Sequence, residues 1–119
     1  MKAVFDTNIL IDYLAGHEGA EEEFARYSHR LVSSITWMEV LAGARNEEEE
    51  DVIDLFLRDF RVIEVSRPIA RAAAEIRRTK RVRLPDAVIW ATAHHEHALL
   101  VTRNTKDFPK KDPGVRVPY

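Results

Sequence analysis

The apolar positions of this chain fall into short runs separated by longer stretches with one apolar face, the pattern of strands alternating with helices. Residues 2–6 (KAVFD) read as a first strand, followed by a helix over about 7–15 that stops near Gly16 and a second over about 18–29. Residues 31–35 are an apolar run bounded by serines that suits a buried strand, and 36 to about 44 is then helical. Between Asp51 and Phe60, the residues Val52, Ile53, Phe56, Leu57 and Phe60 share one helical face. A third strand is expected over 62–65. Ser66-Arg67-Pro68 opens the next helix with a cap and a proline, and Ile69, Ala72, Ala73 and Ile76 form its buried stripe. Pro85 opens another helix, 86 to about 97, whose near-continuous Ala87, Val88, Ile89, Trp90, Ala91 and Ala93 imply burial on most sides. Residues 99–102 make a short strand, and a turn with Pro109 and Pro113 leads to an edge strand near 115–117. The alternation predicts a single α/β domain over 1–119, a parallel sheet covered by helices on both faces. Ligands of such sheets bind beyond the carboxyl ends of the strands, where the strand order reverses.

Composition narrows the class. A chain of 119 residues holds one core, and 45% apolar with 32% charged residues describes a globular protein without a stretch long enough to span a membrane. The opening MKAVFDTN places an aspartate where a secretory signal would run apolar, so the cytoplasm is the expected location. There is no cysteine, which excludes disulfides, thiolate zinc sites and cysteine nucleophiles and leaves oxygen or imidazole to hold any metal. The net charge of −2 conceals an asymmetry: residues 1–60 carry 5 Lys/Arg against 14 Asp/Glu, whereas residues 61–119 carry 13 against 6. An acidic chain can thus still present a basic surface to nucleic acid. The acidic run Glu47 to Asp51 suits a solvated helix start. The basic run Arg77, Arg78, Lys80, Arg81 and Arg83 suits a helix end, and its closeness to Asp86 also suits a guide for phosphates.

Four segments place an acidic or amide side chain at a strand–helix junction: VFDTN (4–8), ITWMEV (35–40), LPDA (84–87) and VTRNTKDF (101–108). Each has an ordinary structural explanation. Thr36-x-x-Glu39 reads as a capping box, Asp86 occupies a first helical turn after Pro85, and Asp6 or Thr7 suits the cap of the helix after the first strand. Together they ask for more, because the α/β pattern brings such junctions to one edge of the sheet. Asp6 ends the apolar Ala3-Val4-Phe5, where desolvation of its charge demands a cation or strong donors. Carboxylates gathered within a few ångströms raise one another's pKa, and Mg²⁺ or Mn²⁺ removes that conflict. With no covalent nucleophile in sight, the cluster points to metal-dependent phosphodiester hydrolysis.

Other signals carry less. His94-His95-Glu96-His97 lacks the His-Glu-x-x-His spacing and reads as a capped, exposed helix end. Trp37 and Trp90 read as core in preference to base-stacking platforms, and Ser33 and Ser34 lack a nucleophile-elbow context.

FDTNILIDYL, SSITWMEVLAG, LPDAVIWATA and LLVTRNTKDF, in that order and spacing, span nearly the whole chain, which resembles a PIN domain and specifically the VapC-type toxin ribonucleases of toxin–antitoxin pairs. The resemblance implies a sheet of about five parallel strands and an endoribonuclease using Mg²⁺ or Mn²⁺. It carries metal-binding or catalytic acids onto Asp6, Glu39 and Asp86. The family's fourth position usually holds an aspartate; Asn104 stands there, with Asp107 three residues on as an alternative source of the carboxylate. Thr7, Asn8 and Thr102 are expected to orient the acids, and Arg81, Arg83, Arg103 and Lys106 to hold the RNA backbone. A homodimer neutralised by a VapB-type antitoxin is implied as well. Two other functions compete: a catalytically weak PIN scaffold that binds nucleic acid, and a receiver-type signalling domain. The receiver reading expects an adjacent acidic pair after the first strand, where this chain has Asp6-Thr7-Asn8.

Overall fold

Alternation along four short strands sorts their side chains onto two faces, and each face is closed by its own helices. Val4, Leu31, Ile63 and Leu100 enter one apolar cluster, while Ala3, Phe5, Val32 and Val101 enter the other. The structure, a computed structural model, describes residues 1–119. Its elements run β1 (Lys2–Phe5), α1 (Thr7–Leu14), α2 (Glu18–Ala25), β2 (His29–Ser33), α3 (Ser34–Ala42), α4 (Glu47–Leu57), β3 (Arg61–Ile63), α5 (Arg67–Lys80), α6 (Leu84–His95), β4 (Leu99–Val101) and β5 (Val115–Arg116). The sheet is parallel throughout, in the order β3-β2-β1-β4-β5. The chain therefore builds outward from β1 to β3, then returns to place β4 on the other side of β1. That reversal between β1 and β4 is the switch point at which such sheets form their crevice.

The first cluster lies under α5 and α6 and takes in Ile69, Ala73 and Ile76 of the former and the apolar run Ala87 to Ala91 with Ala93 of the latter. The second packs α1 to α4 against the opposite face around an aromatic knot. Phe5 meets Phe24, Tyr27 and Phe60 edge-on, at centroid distances of 4.9, 5.7 and 5.9 Å. Trp90 is buried and receives Phe108 edge-on at 5.4 Å, so it is a core residue, as its place on an apolar helix suggests.

Three local differences from the sequence reading have physical causes. The second helix stops at Ala25 and not near 29, because Tyr27 turns into the core and His29 already pairs with Lys2 in the sheet. The third helix is capped by Ser33, whose hydroxyl accepts from the Ile35 amide at 3.1 Å. It starts early enough that Thr36 lies inside its first turn, so the Thr36–Glu39 capping box does not form. The fourth helix begins at Glu47 behind an Asn46 cap, as the acidic run suggests, with four glutamates in its first turn where the helix dipole favours them, but it ends at Leu57, so Phe60 reaches the core from beyond it.

Glu23 is 3% exposed, yet it is ion-paired with Arg116 and accepts from the Tyr27 hydroxyl at 2.9 Å. This pairing ties α2 to the edge strand β5, which has only two residues of ladder to hold it. Burial alone would raise the Glu23 pKa, but its bonds from Arg116 and Tyr27 outweigh that and hold it below the usual range. Glu23→Gln is expected to cost roughly 3 kcal/mol of unfolding free energy, as for a buried pair robbed of one charge. A native pKa below the unfolded one means that this stability is present above the unfolded value and is lost as pH falls through the native one. Urea unfolding of both proteins from pH 7 into the acid range checks both statements.

Candidate active site

Asp6 leaves β1 at the switch point and caps α1, its Oδ1 accepting from the Thr7 amide at 2.8 Å. Its Oδ2 accepts from the Thr102 hydroxyl at 2.7 Å and from Asn8 Nδ2 at 3.2 Å. Three donors thus orient a carboxylate that is only 4% exposed. Asp86 is 6% exposed, one turn before Trp90 on α6, and its one side-chain partner is Arg83, whose Nε donates at 3.2 Å. Glu39 projects from α3 and is exposed, its Oε1 accepting from the Thr7 hydroxyl at 2.7 Å. The same hydroxyl is hydrogen-bonded at 3.1 Å to Thr36, which is buried.

The loop after β4 supplies the rest. Thr102 accepts from the Asn104 amide at 2.9 Å, and Asn104 Nδ2 donates to Asp107 Oδ2 at 2.9 Å. The Asp107 amide in turn donates to Asn104 Oδ1 at 3.3 Å. Asn104 therefore directs both ends of its amide at Asp107. Phe108, fully buried on Trp90, anchors this loop, so that neighbouring Asp107 comes within electrostatic reach of Asp86.

The electrostatics record the strain of gathering these acids. Burial pushes Asp6 up to about 6, against the pull of Thr102 and the Thr7 amide, with the charges of Asp86 and Glu39 adding to the rise. Asp86 is likewise raised, chiefly by burial, with Asp107 and Glu39 adding and Arg83 opposing. The donors are all hard oxygens and the site carries an excess of negative charge, which suits Mg²⁺ or Mn²⁺. As they stand, no three acidic or histidine side chains converge closely enough to enclose an ion.

At the sequence positions singled out, Asp6, Glu39, Asp86, Asn104 and Asp107 come to one region, and Thr7, Asn8 and Thr102 bond the acids directly. Arg81 and Lys106 are exposed, and Arg83 extends from solvent onto Asp86. Arg103 is already engaged within the fold, its guanidinium donating to Asp12 at 2.6 and 2.9 Å. The sequence reading missed Asp12 and Tyr119, whose hydroxyl donates to Asp12 at 2.8 Å. Asp12 follows Asn8 by one helical turn, a spacing that placed it on the same face; Tyr119 gave no signal. The histidines at the end of α6 are exposed, and none joins the site.

A model of the PIN domain family matches residues 3–112. The chain is a PIN domain. Among solved structures it is similar to a chain of a toxin–antitoxin complex from Klebsiella pneumoniae, at 42% identity over 98% of both chains with a TM-score of 0.92. A chain of the DNA-bound VapBC of Salmonella typhimurium is 28% identical over 98% of this chain and 96% of its own, with a TM-score of 0.82. For VapBC2 of Rickettsia felis the identity is 25% over 97% and 96%, with a TM-score of 0.76. A search of curated proteins returns no match. The PIN domain thus shares its whole extent with these chains, and no helix of it is long and apolar enough to cross a membrane.

The Asp6 shift has a measurable sign. Its native pKa of about 6 lies above the ordinary 3.8, so between those values the native state holds a proton that the unfolded chain has lost. Without metal, this group makes the fold less stable as pH rises through that window, by about 3 kcal/mol in all. The difference in unfolding free energy between wild type and Asp6→Asn, followed from pH 4 to 7, isolates the effect. Added Mg²⁺ is expected to flatten the wild-type curve and leave that of the variant in place.

Proposed function

We propose that this PIN domain is a metal-dependent endoribonuclease, the toxin of a type II toxin–antitoxin pair, acting on RNA in the cytoplasm. The observation that carries this reading is the pair of buried carboxylates, Asp6 and Asp86, at the switch point of a parallel sheet, with Glu39 and Asp107 within electrostatic reach. Asp6, Asp86 and Glu39 would hold Mg²⁺ or Mn²⁺. When bound, such an ion supplies Lewis-acid activation of water and neutralises charge developing on the scissile phosphate. The protein's own groups do the rest. Thr102 and Asn8 fix the direction in which Asp6 presents its lone pairs, and Thr7 holds Glu39 by one oxygen, leaving Oε2 to accept from a water. Asp107 supplies the fourth carboxylate and Asn104 props it, so the amide at the family's usual aspartate position serves a positioning role. Arg81, Arg83 and Lys106, with the basic end of α5, hold the RNA backbone and make binding salt-sensitive.

The antitoxin reading has a surface to match. α1, α3 and α4 enclose an open groove of about 720 Å³ lined by Ile11, Leu14, Val40, Val52 and Ile53, together with Glu39, Glu48 and the Arg45–Glu49 ion pair. An amphipathic antitoxin helix with a basic border would fill it and reach Glu39. The toxin is expected to pair as a homodimer, which sedimentation of the purified chain would report.

One observation favours a catalytically weak nucleic-acid scaffold: no three acids close on an ion as they stand. Cleavage of a labelled structured RNA decides between the readings. With Mg²⁺ or Mn²⁺ the wild type is expected to cut, EDTA to stop it, and Asp86→Asn to lower the rate at least 100-fold. RNA bound but uncut under every metal would select the scaffold. For the groove, Val52→Asp on the exposed face of α4 is expected to weaken capture of a VapB-type antitoxin more than tenfold and to leave RNA cleavage unchanged. Equal capture by both proteins would move the interface elsewhere.

A further inference from the structure

Asp12, Arg103 and Tyr119 take no direct part in the cluster of acids, yet they are joined to it by a continuous set of hydrogen bonds. Arg103 grips Asp12 through Nε and Nη2, and Tyr119 donates to the same carboxylate. The His17 ring, just beyond α1, stacks on Tyr119 at a centroid distance of 4.1 Å. Three separate parts of the chain are thereby locked together: the second turn of α1, the loop after β4 and the segment after β5.

Two routes lead from this lock to Asp6. The Arg103 amide donates to Asn8 Oδ1 at 3.2 Å, and Asn8 Nδ2 donates to Asp6 Oδ2. Thr102, the preceding residue, donates its hydroxyl to the same Asp6 oxygen. Both side-chain donors to Asp6 therefore depend on where residues 102 and 103 lie. On one side these residues are fixed by the bond from the Thr102 amide to the Arg116 carbonyl, at 3.0 Å. On the other they are fixed by Arg103 on Asp12. The bidentate geometry restricts rotation of the guanidinium as well as its position, which a lysine at 103 would not do.

We propose that Asp12, Arg103 and Tyr119 form a clamp that positions Asp6, through Asn8 and Thr102, for binding the divalent cation. The inference rests on the metal-nuclease reading above and makes Arg103 a positioning residue, not a phosphate contact. Its charge is compensated within the fold, so it adds little to attraction of RNA. Its effect reaches the chemistry through Asp6, three of whose four acceptor sites are taken by Thr7, Thr102 and Asn8, so the direction of the remaining one decides how well an ion is held.

Mn²⁺ binding to the purified full chain, followed by electron paramagnetic resonance, tests this alongside RNA cleavage and amide hydrogen exchange. Arg103→Gln and Asp12→Asn are expected to weaken Mn²⁺ binding 10- to 100-fold. Tyr119→Phe, which removes one hydroxyl and little else, should weaken it less. Cleavage by all three should recover at saturating Mn²⁺, with KM for RNA and its salt dependence as in the wild type. The amides of 103 and 104 should exchange faster. Arg103→Lys should behave like Arg103→Gln, because charge without the planar fork does not rebuild the clamp. A raised KM and a shallower salt dependence at unchanged Mn²⁺ affinity would overturn the proposal in favour of a phosphate contact. Unchanged affinity and exchange in Arg103→Gln and Asp12→Asn would reduce the trio to a surface ion pair. A wild type that neither binds Mn²⁺ nor cuts RNA would remove the metal-nuclease reading and the clamp with it. A wild type that does both, beside unaltered variants, removes the clamp alone.

Discussion

A carboxylate at the end of the middle strand of a parallel sheet has nowhere to go but the crevice where the sheet reverses, and Asp6 is in that position. β1 is flanked on both sides and covered on both faces, so the residue that follows it emerges with 4% exposure and must find its solvation within the protein. One backbone amide and two side-chain donors provide it, from residues as far apart as Thr7 and Thr102. They do not fully compensate: the proton is still held up to about pH 6. That residual penalty is what a cation would relieve, and it concentrates in the element the topology makes most rigid. On the metal-nuclease reading, stability is given up where a charge has to be ready for neutralisation.

Packing places the remaining acids around that point. Asp86 and Trp90 are one turn apart on α6, and Asp107 and Phe108 are neighbours in the loop after β4. When Phe108 seats edge-on against Trp90, the two carboxylates on these anchors are drawn toward each other. The apolar contact drives an arrangement that the charges oppose, and burial of two large aromatic side chains outweighs the repulsion between buried Asp86 and half-buried Asp107. Asn104 steadies the weaker member by bonding Asp107 at both ends of its amide. The short sequence Asn104-Thr105-Lys106-Asp107-Phe108 thus couples a core anchor to the site it supports.

The sheet, the helix order and the acids at the strand ends were legible because each rests on local rules. Alternating apolar positions identify strands, Ser66 with Pro68 starts a helix, and an acid after an apolar run marks a strand mouth. What failed to read was decided at a distance. Nothing near Tyr27 says that it will leave a helical pattern to enter the core. Ser33 and Thr36 are both acceptable caps, and the register of β2 settled the choice for Ser33 by ending the strand there. Arg103 looked free because its partner, Asp12, lies 91 residues away on an element that the sheet brings alongside. Tyr119 was invisible for the same reason, at a separation of 107. Charge type can be read from sequence; whether a charge is already compensated cannot.

The distribution of charge then separates the two surfaces that a toxin needs. Acids crowd the first turn of α4, whose Glu48 and Glu49 line the apolar groove, whereas the last turn of α5 carries Arg77, Arg78 and Lys80 ahead of Arg83 and Asp86. Glu39 belongs to both: it lines the groove and, through Thr7, shares the hydrogen-bonded frame of Asp6. On the reading proposed here, a basic amphipathic segment lying in the groove would end against Glu39 and place positive charge beside the acids, where the cation is needed. RNA, on the same reading, would approach along the basic end of α5. Inhibitor and substrate would then compete for the carboxylates without sharing the rest of their contacts, so affinity for one can change by substitutions in α4 with little effect on the other.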